Sequence, residues 1–250
     1  MSENLIYKSD RIISSAYIDS SVRLGVAQTF LMVQDNISEC FGMLKCDGVT
    51  YKERYTAFWV FTKTKVHFYR RPDWRENITA ETFPISNDAF RSHVNTLLAD
   101  KNGEKVAVAN QEACVLDGQR HRPMKLTDLD FPKEGFPEPV CTEPFERFPS
   151  DFTEEDYQYD FKIRSQQIDL SSHLNNIEYI KLGLNCYSND FLLAHEVSDV
   201  EVHYTGESKE GQILKIYKKH TDDGDFFCIF EVSSGDKPRG VFEMKVKFYQ

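Results

Sequence analysis

Phe30-Leu31-Met32-Val33-Gln34-Asp35-Asn36-Ile37-Ser38-Glu39-Cys40-Phe41-Gly42-Met43-Leu44 is the stretch that decides the fold class. Phe30, Val33, Ile37, Phe41 and Leu44 recur at steps of three and four, which places them on one face of an amphipathic helix. Leu174, Ile177, Ile180, Leu184 and Tyr187 form a second stripe of the same period. A short segment precedes each helix, Ala16-Tyr17-Ile18-Asp19 in one case and Phe161-Lys162-Ile163-Arg164 in the other. Strand-like runs rich in β-branched and aromatic residues follow: 56–69, 78–84, 93–99 and 106–116, then 200–205, 213–218, 226–232 and 241–249. In the last run Phe242, Met244, Val246 and Phe248 point one way and Glu243, Lys245 and Lys247 the other, as in a half-buried strand. Asp100-Lys101-Asn102-Gly103 and Ser234-Gly235-Asp236 are hairpin signals closing the final pair of each half.

One helix and then antiparallel strands, twice over, is an α+β plan in which each sheet wraps a central helix. Residues recur with it at an offset of roughly 135–140: Asp35-Asn36-Ile37 against Asn175-Asn176-Ile177, and Val66-His67-Phe68 against Val202-His203-Tyr204. Duplication has a physical use, because a second copy covers the open edge that a lone sheet leaves.

A length of 250 residues suits one large domain or two of about 120. The halves are separated by composition. From Asp128 to Asp160 there are about 11 acidic and 2 basic residues, most of the net charge of -10, and five of the nine prolines. Proline fixes φ and removes a donor, so neither helix nor strand should cross this stretch. The expected division is an N-terminal domain at 1–127, a linker at 128–152 and a C-terminal domain at 153–250.

The acidic balance excludes a nucleic-acid binder. No apolar run approaches the ~18 residues that span a bilayer, so no membrane association is expected. Met1-Ser2-Glu3-Asn4 has neither a secretory nor a transit pattern. Six cysteines without a Cys-x-x-Cys spacing are expected to be reduced thiols in a cytoplasm, with no disulfide framework, metal or cofactor. Two basic runs, Lys63-Lys65-Arg70-Arg71-Arg75 and Arg120-His121-Arg122-Lys125, read either as solvated strand ends or as a docking face for an acidic partner.

Chemistry concentrates at Ile168-Asp169-Leu170-Ser171-Ser172-His173-Leu174-Asn175-Asn176-Ile177-Glu178-Tyr179. Capping accounts for part of it, with Ser171 or Ser172 as N-cap and Asp169 near the positive end of the helix dipole. It leaves unexplained a histidine and two asparagines that follow at once. A helix start offers backbone N–H groups to a carbonyl oxygen, a histidine moves protons near neutral pH, and a carboxylate orients it.

At these residues the chain resembles the acyl-acyl carrier protein thioesterases, whose signature Asp-x-Asn-x-His-Val-Asn-Asn-x-x-Tyr falls on Asp169 to Tyr179. The resemblance continues through His195-Glu196-Val197 and Tyr204-Thr205-Gly206-Glu207-Ser208. In the first half it runs through Trp59-Val60-Phe61-Thr62, Tyr69-Arg70-Arg71-Pro72-Asp73-Trp74 and Ile78-Thr79-Ala80-Glu81-Thr82. It implies tandem hotdog domains and hydrolysis of the thioester between a fatty acyl chain and carrier-protein phosphopantetheine. By position, Asp169, His173 and Glu207 match the catalytic residues. Ser171 stands where the family has Asn, and Ser208 where it often has Cys.

Under this resemblance Asn175 and Asn176 belong to substrate binding, with backbone N–H groups of 173–175 on the oxyanion. Either water or Asp169 is the nucleophile. Thr29, Leu31 and Val33 read as the first-half equivalents, so the catalytic site is expected in the second half alone. Phe30, Val33 and Ile37 are then core residues or the lining of an acyl tunnel. The partner is an acidic acyl carrier protein, which gives Lys63, Lys65, Arg70, Arg71 and Arg75 a docking role; a homodimer stays open. His67, His93, His121, His195, His203 and His220 read as structural or exposed. The competing readings are a hotdog acyl-CoA thioesterase, a hydratase or dehydratase, and a non-catalytic acyl-binding protein.

Overall fold

The computed structural model describes residues 5–233, 235 and 237–249. The hairpin signal at Ser234 and Asp236 lies outside the described residues. The chain divides into two compact units, one ending at Pro144 and one beginning at Phe145.

The first unit contains β1 (Tyr7–Ile12), α1 (Val26–Met43), α2 (Gly48–Tyr55), β2 (Ala57–Phe68), β3 (Asn77–Asn87), β4 (Arg91–Asp100) and β5 (Lys105–Asp117). Its strands lie in the order β1-β3-β4-β5-β2, every pair antiparallel. The α1 stripe faces inward against β1, β3 and β4, and Phe30, Val33, Ile37 and Phe41 are all buried. Leu44 is the C-cap, and Leu31 lies on the exposed side. Trp59 fixes the chain leaving α1. Its indole nitrogen donates to the Cys46 carbonyl at 2.7 Å, and its ring packs between Phe41, Tyr51 and Phe131. The β4–β5 hairpin closes at the expected turn, where Asp100 Oδ1 accepts from the N–H groups of Asn102 and Glu104 and Gly103 adopts φ +85°.

The second unit repeats the plan with β6 (Tyr157–Lys162), α3 (Asn176–Leu184), α4 (Asn189–Ala194), β7 (Val197–Tyr204), β8 (Ile213–Thr221), β9 (Gly224–Glu231) and β10 (Arg239–Phe248). Its order is β7-β10-β9-β8-β6, again antiparallel. α3 has half the length of α1, so Leu174 and Tyr187 of the predicted stripe flank it but are still buried. Gly183 lets this helix approach β10, because a Cβ there would come within 2.2 Å of Met244 Cε.

The expectation for Asp128–Asp160 fails at its far end, beyond its last proline at Pro149: a 3-10 turn at Glu154–Asp156 and the start of β6 at Tyr157 lie within it, and the part free of helix and strand is 132–152. The stretch lies as a strap on each unit in turn. On the first, Asn95 Oδ1 accepts from the N–H groups of Val140 and Cys141, both at 2.9 Å, and Lys65 pairs with Glu143. On the second, Phe148 stacks on His203 at 4.2 Å, Glu201 accepts from the Glu146 N–H, and Lys245 donates to Glu146 and Asp223. The predicted alternation of β10 therefore fails at one place. Lys245 points away from the helix, yet its side chain is only 3% exposed, because the strap covers it. Among the described residues no cluster fit for a metal ion occurs, the six cysteines are free, and no helix is long and apolar enough to cross a membrane.

Candidate active site

The segment before α3 is a tight turn stapled at its base. Ile168 and Leu174 bridge across it, and Asp169 N–H donates to the His173 carbonyl at 2.9 Å. Asp169 Oδ1 accepts from Ser171 N–H at 2.8 Å, with His173 N–H at 3.5 Å. Ser172 follows in the left-handed region at φ 64°, uncommon for a residue with a Cβ. The helix itself begins only at Asn176, capped by Asn175 Oδ1 on the Ile177 N–H at 2.9 Å. Ser171 and Ser172 are thus exposed residues of the turn, not caps. The left-handed backbone at Ser172 and the bond from Asp169 N–H to the His173 carbonyl close the turn on itself, so the helix starts only after it.

The expected oxyanion donors also change. Leu174 N–H is bound to the Ser208 carbonyl at 2.7 Å, and Asn175 N–H to that of Gln167 at 2.9 Å. His173 N–H is the loosest of the three. Asn175 commits its amide oxygen to the cap, and among the described residues its amide nitrogen makes no hydrogen bond. Asn176 is the first helical residue, and its carbonyl accepts from the Tyr204 hydroxyl at 3.4 Å.

Glu207 reaches this turn from the loop between β7 and β8. Thr205 and Gly206 both donate to the Val241 carbonyl, and Arg239 Nη2 donates to the Glu207 carbonyl at 2.6 Å. Those bonds anchor the loop to β10, and Leu174 N–H ties it to the turn. The outcome is a contact of 3.2 Å between His173 Nε2 and Glu207 Oε2, with the two side chains 24% and 47% exposed. The pair is therefore open to a substrate. Asp169 is half-buried and touches the backbone of the turn; among the described residues it makes no hydrogen bond to the imidazole.

The first unit holds a copy of this turn that the repeat at 135–140 conceals. Ile18 bridges Leu24, Asp19 N–H donates to the Arg23 carbonyl, Ser21 N–H to Asp19 Oδ1, and Gly25 caps α1. Leu24 N–H binds the Pro72 carbonyl as Leu174 N–H binds that of Ser208, and Val22 has φ 61° where Ser172 has 64°. The counterparts of Asp169 and His173 are consequently Asp19 and Arg23. Thr29 and Val33 are buried in α1 beyond the turn, and Leu31 is on its exposed side. Asp35-Asn36-Ile37 likewise lies in mid-helix, not at the helix start. An acid does survive in the first unit, but Arg71, beside Pro72, neutralises it. The Arg71 guanidinium pairs with Asp19 Oδ2 and donates to Ser21 Oγ. The shared pattern Ile-Asp-x-Ser-x-x-Leu at 18–24 and 168–174 is the sequence signal for this turn.

Two of the five proposed docking residues are not on a free surface. Arg71 is 6% exposed and Lys65 8%, each consumed by partners within the first unit. Arg70 pairs with Glu76 and Asp100, Lys63 is half-buried, and Arg75 is exposed over the Trp74 ring at 4.4 Å. Phe30, Val33 and Ile37 sit in the core of the first unit. Of the other histidines, His195 stacks on Phe191 at 4.0 Å, His203 bonds Glu201 at 2.8 Å and His220 bonds Asp225 at 2.6 Å. A cleft of about 460 Å³ lined by Phe191, Lys218, His220, Asp225 and Phe248 includes none of Asp169, His173 and Glu207.

Comparison with known proteins bears on both units. Residues 4–131 match the model of the acyl-ACP thioesterase N-terminal domain, and residues 150–247 that of the acyl-ACP thioesterase C-terminal domain. The oleoyl-acyl carrier protein thioesterase 1, chloroplastic, of Arabidopsis thaliana is 22% identical over 232 residues, 85% of this chain and 63% of the relative. A second Arabidopsis oleoyl-acyl carrier protein thioesterase is 24% identical over 170 residues, 62% of this chain and 46% of the relative. The chain thus spans less than two thirds of the length of these relatives. Among solved structures, an acyl-ACP thioesterase from Bacteroides thetaiotaomicron superposes with a TM-score of 0.87 at 18% identity, covering 100% of both chains. The 12:0-ACP thioesterase from Umbellularia californica gives 0.83 at 12% identity, covering 98% of this chain and 97% of that one. Both likenesses bear out the tandem hotdog fold.

Proposed function

Because this chain belongs to the acyl-ACP thioesterase family, we propose that it hydrolyses fatty acyl thioesters of acyl carrier protein at His173, Glu207 and Asp169. The observation that carries the reading is the 3.2 Å contact between His173 Nε2 and Glu207 Oε2, on the unit matched by the C-terminal domain model. A histidine and a carboxylate at this distance share a proton and activate water. The water proton passes to the pair, and the water oxygen bonds to the acyl carbonyl carbon. The carbonyl oxygen takes up negative charge. When the intermediate collapses the C–S bond breaks, the leaving sulfur regains a proton from the pair, and a free fatty acid and the carrier thiol result.

Asp169 acts through the backbone it holds. Its Oδ1 is committed to the turn, which fixes the loop bearing His173. That favours water over Asp169 as nucleophile. Asn175 Nδ2 and the loosely held His173 N–H are the donors for the oxyanion. Such donors act on charge that develops in the transition state, and loss of one typically costs about 10²–10³ in kcat. Ser171, exposed at the tip of the turn, replaces the family asparagine without removing any of these groups.

The test is thiol release from acyl carrier proteins loaded with C8 to C18 chains, with acyl-CoA as comparator. Turnover of at least one carrier-linked chain at a kcat/KM well above that for the same acyl-CoA is expected. Absence of turnover across the panel, or preference for the CoA esters, overturns the reading.

A further inference from the structure

Two buried hydroxyls, one in the first turn of α3 and one in the loop that carries Glu207, have no hydrogen-bond partner among the described residues: Tyr179 Oη and Ser208 Oγ. Tyr179 is 2% exposed and Ser208 fully buried. Folded proteins rarely leave buried hydroxyls unpaired, so two together call for an account. They come from different elements. Tyr179 stands in the first turn of α3, its ring stacked on Phe242 of β10 at 5.4 Å and beside Tyr204 at 6.4 Å. Ser208 follows Glu207 directly, and its carbonyl takes the N–H of Leu174, the residue after His173. The phenol lies close to the Ser208 side chain and peptide N–H, with Glu207 and Arg239 within electrostatic reach.

We propose that Tyr179 and Ser208 are positioning residues for Glu207, their hydroxyls forming a polar floor that holds its loop at the right distance from His173. The bonds from Arg239 and to Val241 fasten this loop to β10. On the α3 side the Leu174–Ser208 bond holds it, and the Tyr179 phenol lies close to the Ser208 side chain beside that bond. Burial, the main cause, pushes the Tyr179 phenol up to about 12. It therefore stays a neutral phenol beside the Glu207 loop near neutral pH.

The inference rests on the hydrolytic reading for its kinetic consequence alone. Tyr179→Phe, Ser208→Ala and the double variant are compared with the parent and with Glu207→Gln in full-length protein. Both single variants are expected to move the ¹⁵N shifts of the His173 ring toward those of Glu207→Gln, and to lower kcat about tenfold with KM held within twofold. The double variant should go little further than the larger single change, because the two act as one unit. Unchanged His173 shifts in either folded single variant overturn the proposal, as does a fall in melting temperature with no change in those shifts. Tyr179→Phe keeps the ring on Phe242, so it decides the matter alone if Ser208→Ala does not fold. If the parent releases no thiol, the hydrolytic reading fails, while the ring shifts still decide this one.

Discussion

Replacing Arg71 by methionine separates a structural ion pair from a docking site. The Arg71 side chain is 4% exposed and that of Asp19 34%. Besides Asp19 Oδ2, the guanidinium serves Ser21 Oγ at 3.1 Å and the Leu24 carbonyl at 3.4 Å. Removing one member of a buried pair typically costs 3–5 kcal/mol, because the remaining charge is left uncompensated. Asp19 keeps two short bonds to Ser21, at 2.9 and 2.5 Å, and is one-third open to water, which lowers the expected loss to about 2–3 kcal/mol. For a protein of this size each kcal/mol is worth roughly 2–4 °C, so the melting temperature should fall by about 4–12 °C. Calorimetry reads that fall, and kinetics at 15 °C, where the variant is folded, read the KM for acyl carrier protein. KM is expected to change by less than twofold. A melting temperature within 2 °C of the parent with a KM raised severalfold would refute the argument and return Arg71 to the docking face.

The remaining predictions concern other parts of the molecule. Asn175→Asp keeps a capping oxygen for the Ile177 N–H but loses the amide donor, so kcat should drop about 100-fold with little change in melting temperature; equal activity in a thiol-release assay would remove Asn175 from the oxyanion site. Val22 is β-branched, 52% exposed and held at φ 61°, so Val22→Gly should stabilise the protein by about 1 kcal/mol in urea titrations; a destabilised variant would show that the turn is not strained. Hydrogen bonds from Lys245 and then Lys247 hold the Asp223 carboxyl down at about 2, below its ordinary 3.8. A depressed folded value means that the stabilisation is complete above about pH 4 and is lost as pH falls through 2. Asp223 is 64% exposed, so solvent screening keeps this contribution below about 1 kcal/mol. Titration by ¹³C NMR should place its midpoint near 2 and show it rising in Lys245→Met; no rise would mean that Lys245 does not hold it.

The strands of both sheets could be read because alternation and β-branched residues mark a half-buried strand. β1 and β6 escaped because each pairs on one side only, with β3 and β8 respectively, and their residues are largely polar. The duplicated turn escaped for a different reason. α1 has 18 residues and α3 has 9, so one offset cannot serve both sides of the helix. Matching Asp35-Asn36-Ile37 to the second helix start compared residue types that occupy different positions. Arg71 looked solvated within a basic run, because its partner Asp19 lies 52 residues away in the chain. Lys245 looked outward for the same kind of reason: nothing local announces that a proline-rich strap will cover it. At the site, Asp169 and His173 were legible as residue types, Glu207 came through the family resemblance alone, and the structure joins His173 to Glu207. The bonds that occupy the N–H groups of Leu174 and Asn175 come from Ser208 and Gln167, and no local pattern reveals them.

Steady-state thiol release from acyl carrier protein by the parent, His173→Ala, Glu207→Gln and Asp169→Asn, each verified as folded by circular dichroism, tests the assignment of the site most directly. Acid–base groups of this kind typically contribute 10²–10⁴ in rate, so His173→Ala and Glu207→Gln should each lose about 1,000-fold in kcat. Asp169→Asn, which keeps an oxygen for the Ser171 N–H, should lose less. Activity within threefold of the parent in either of the first two variants would contradict the site described above.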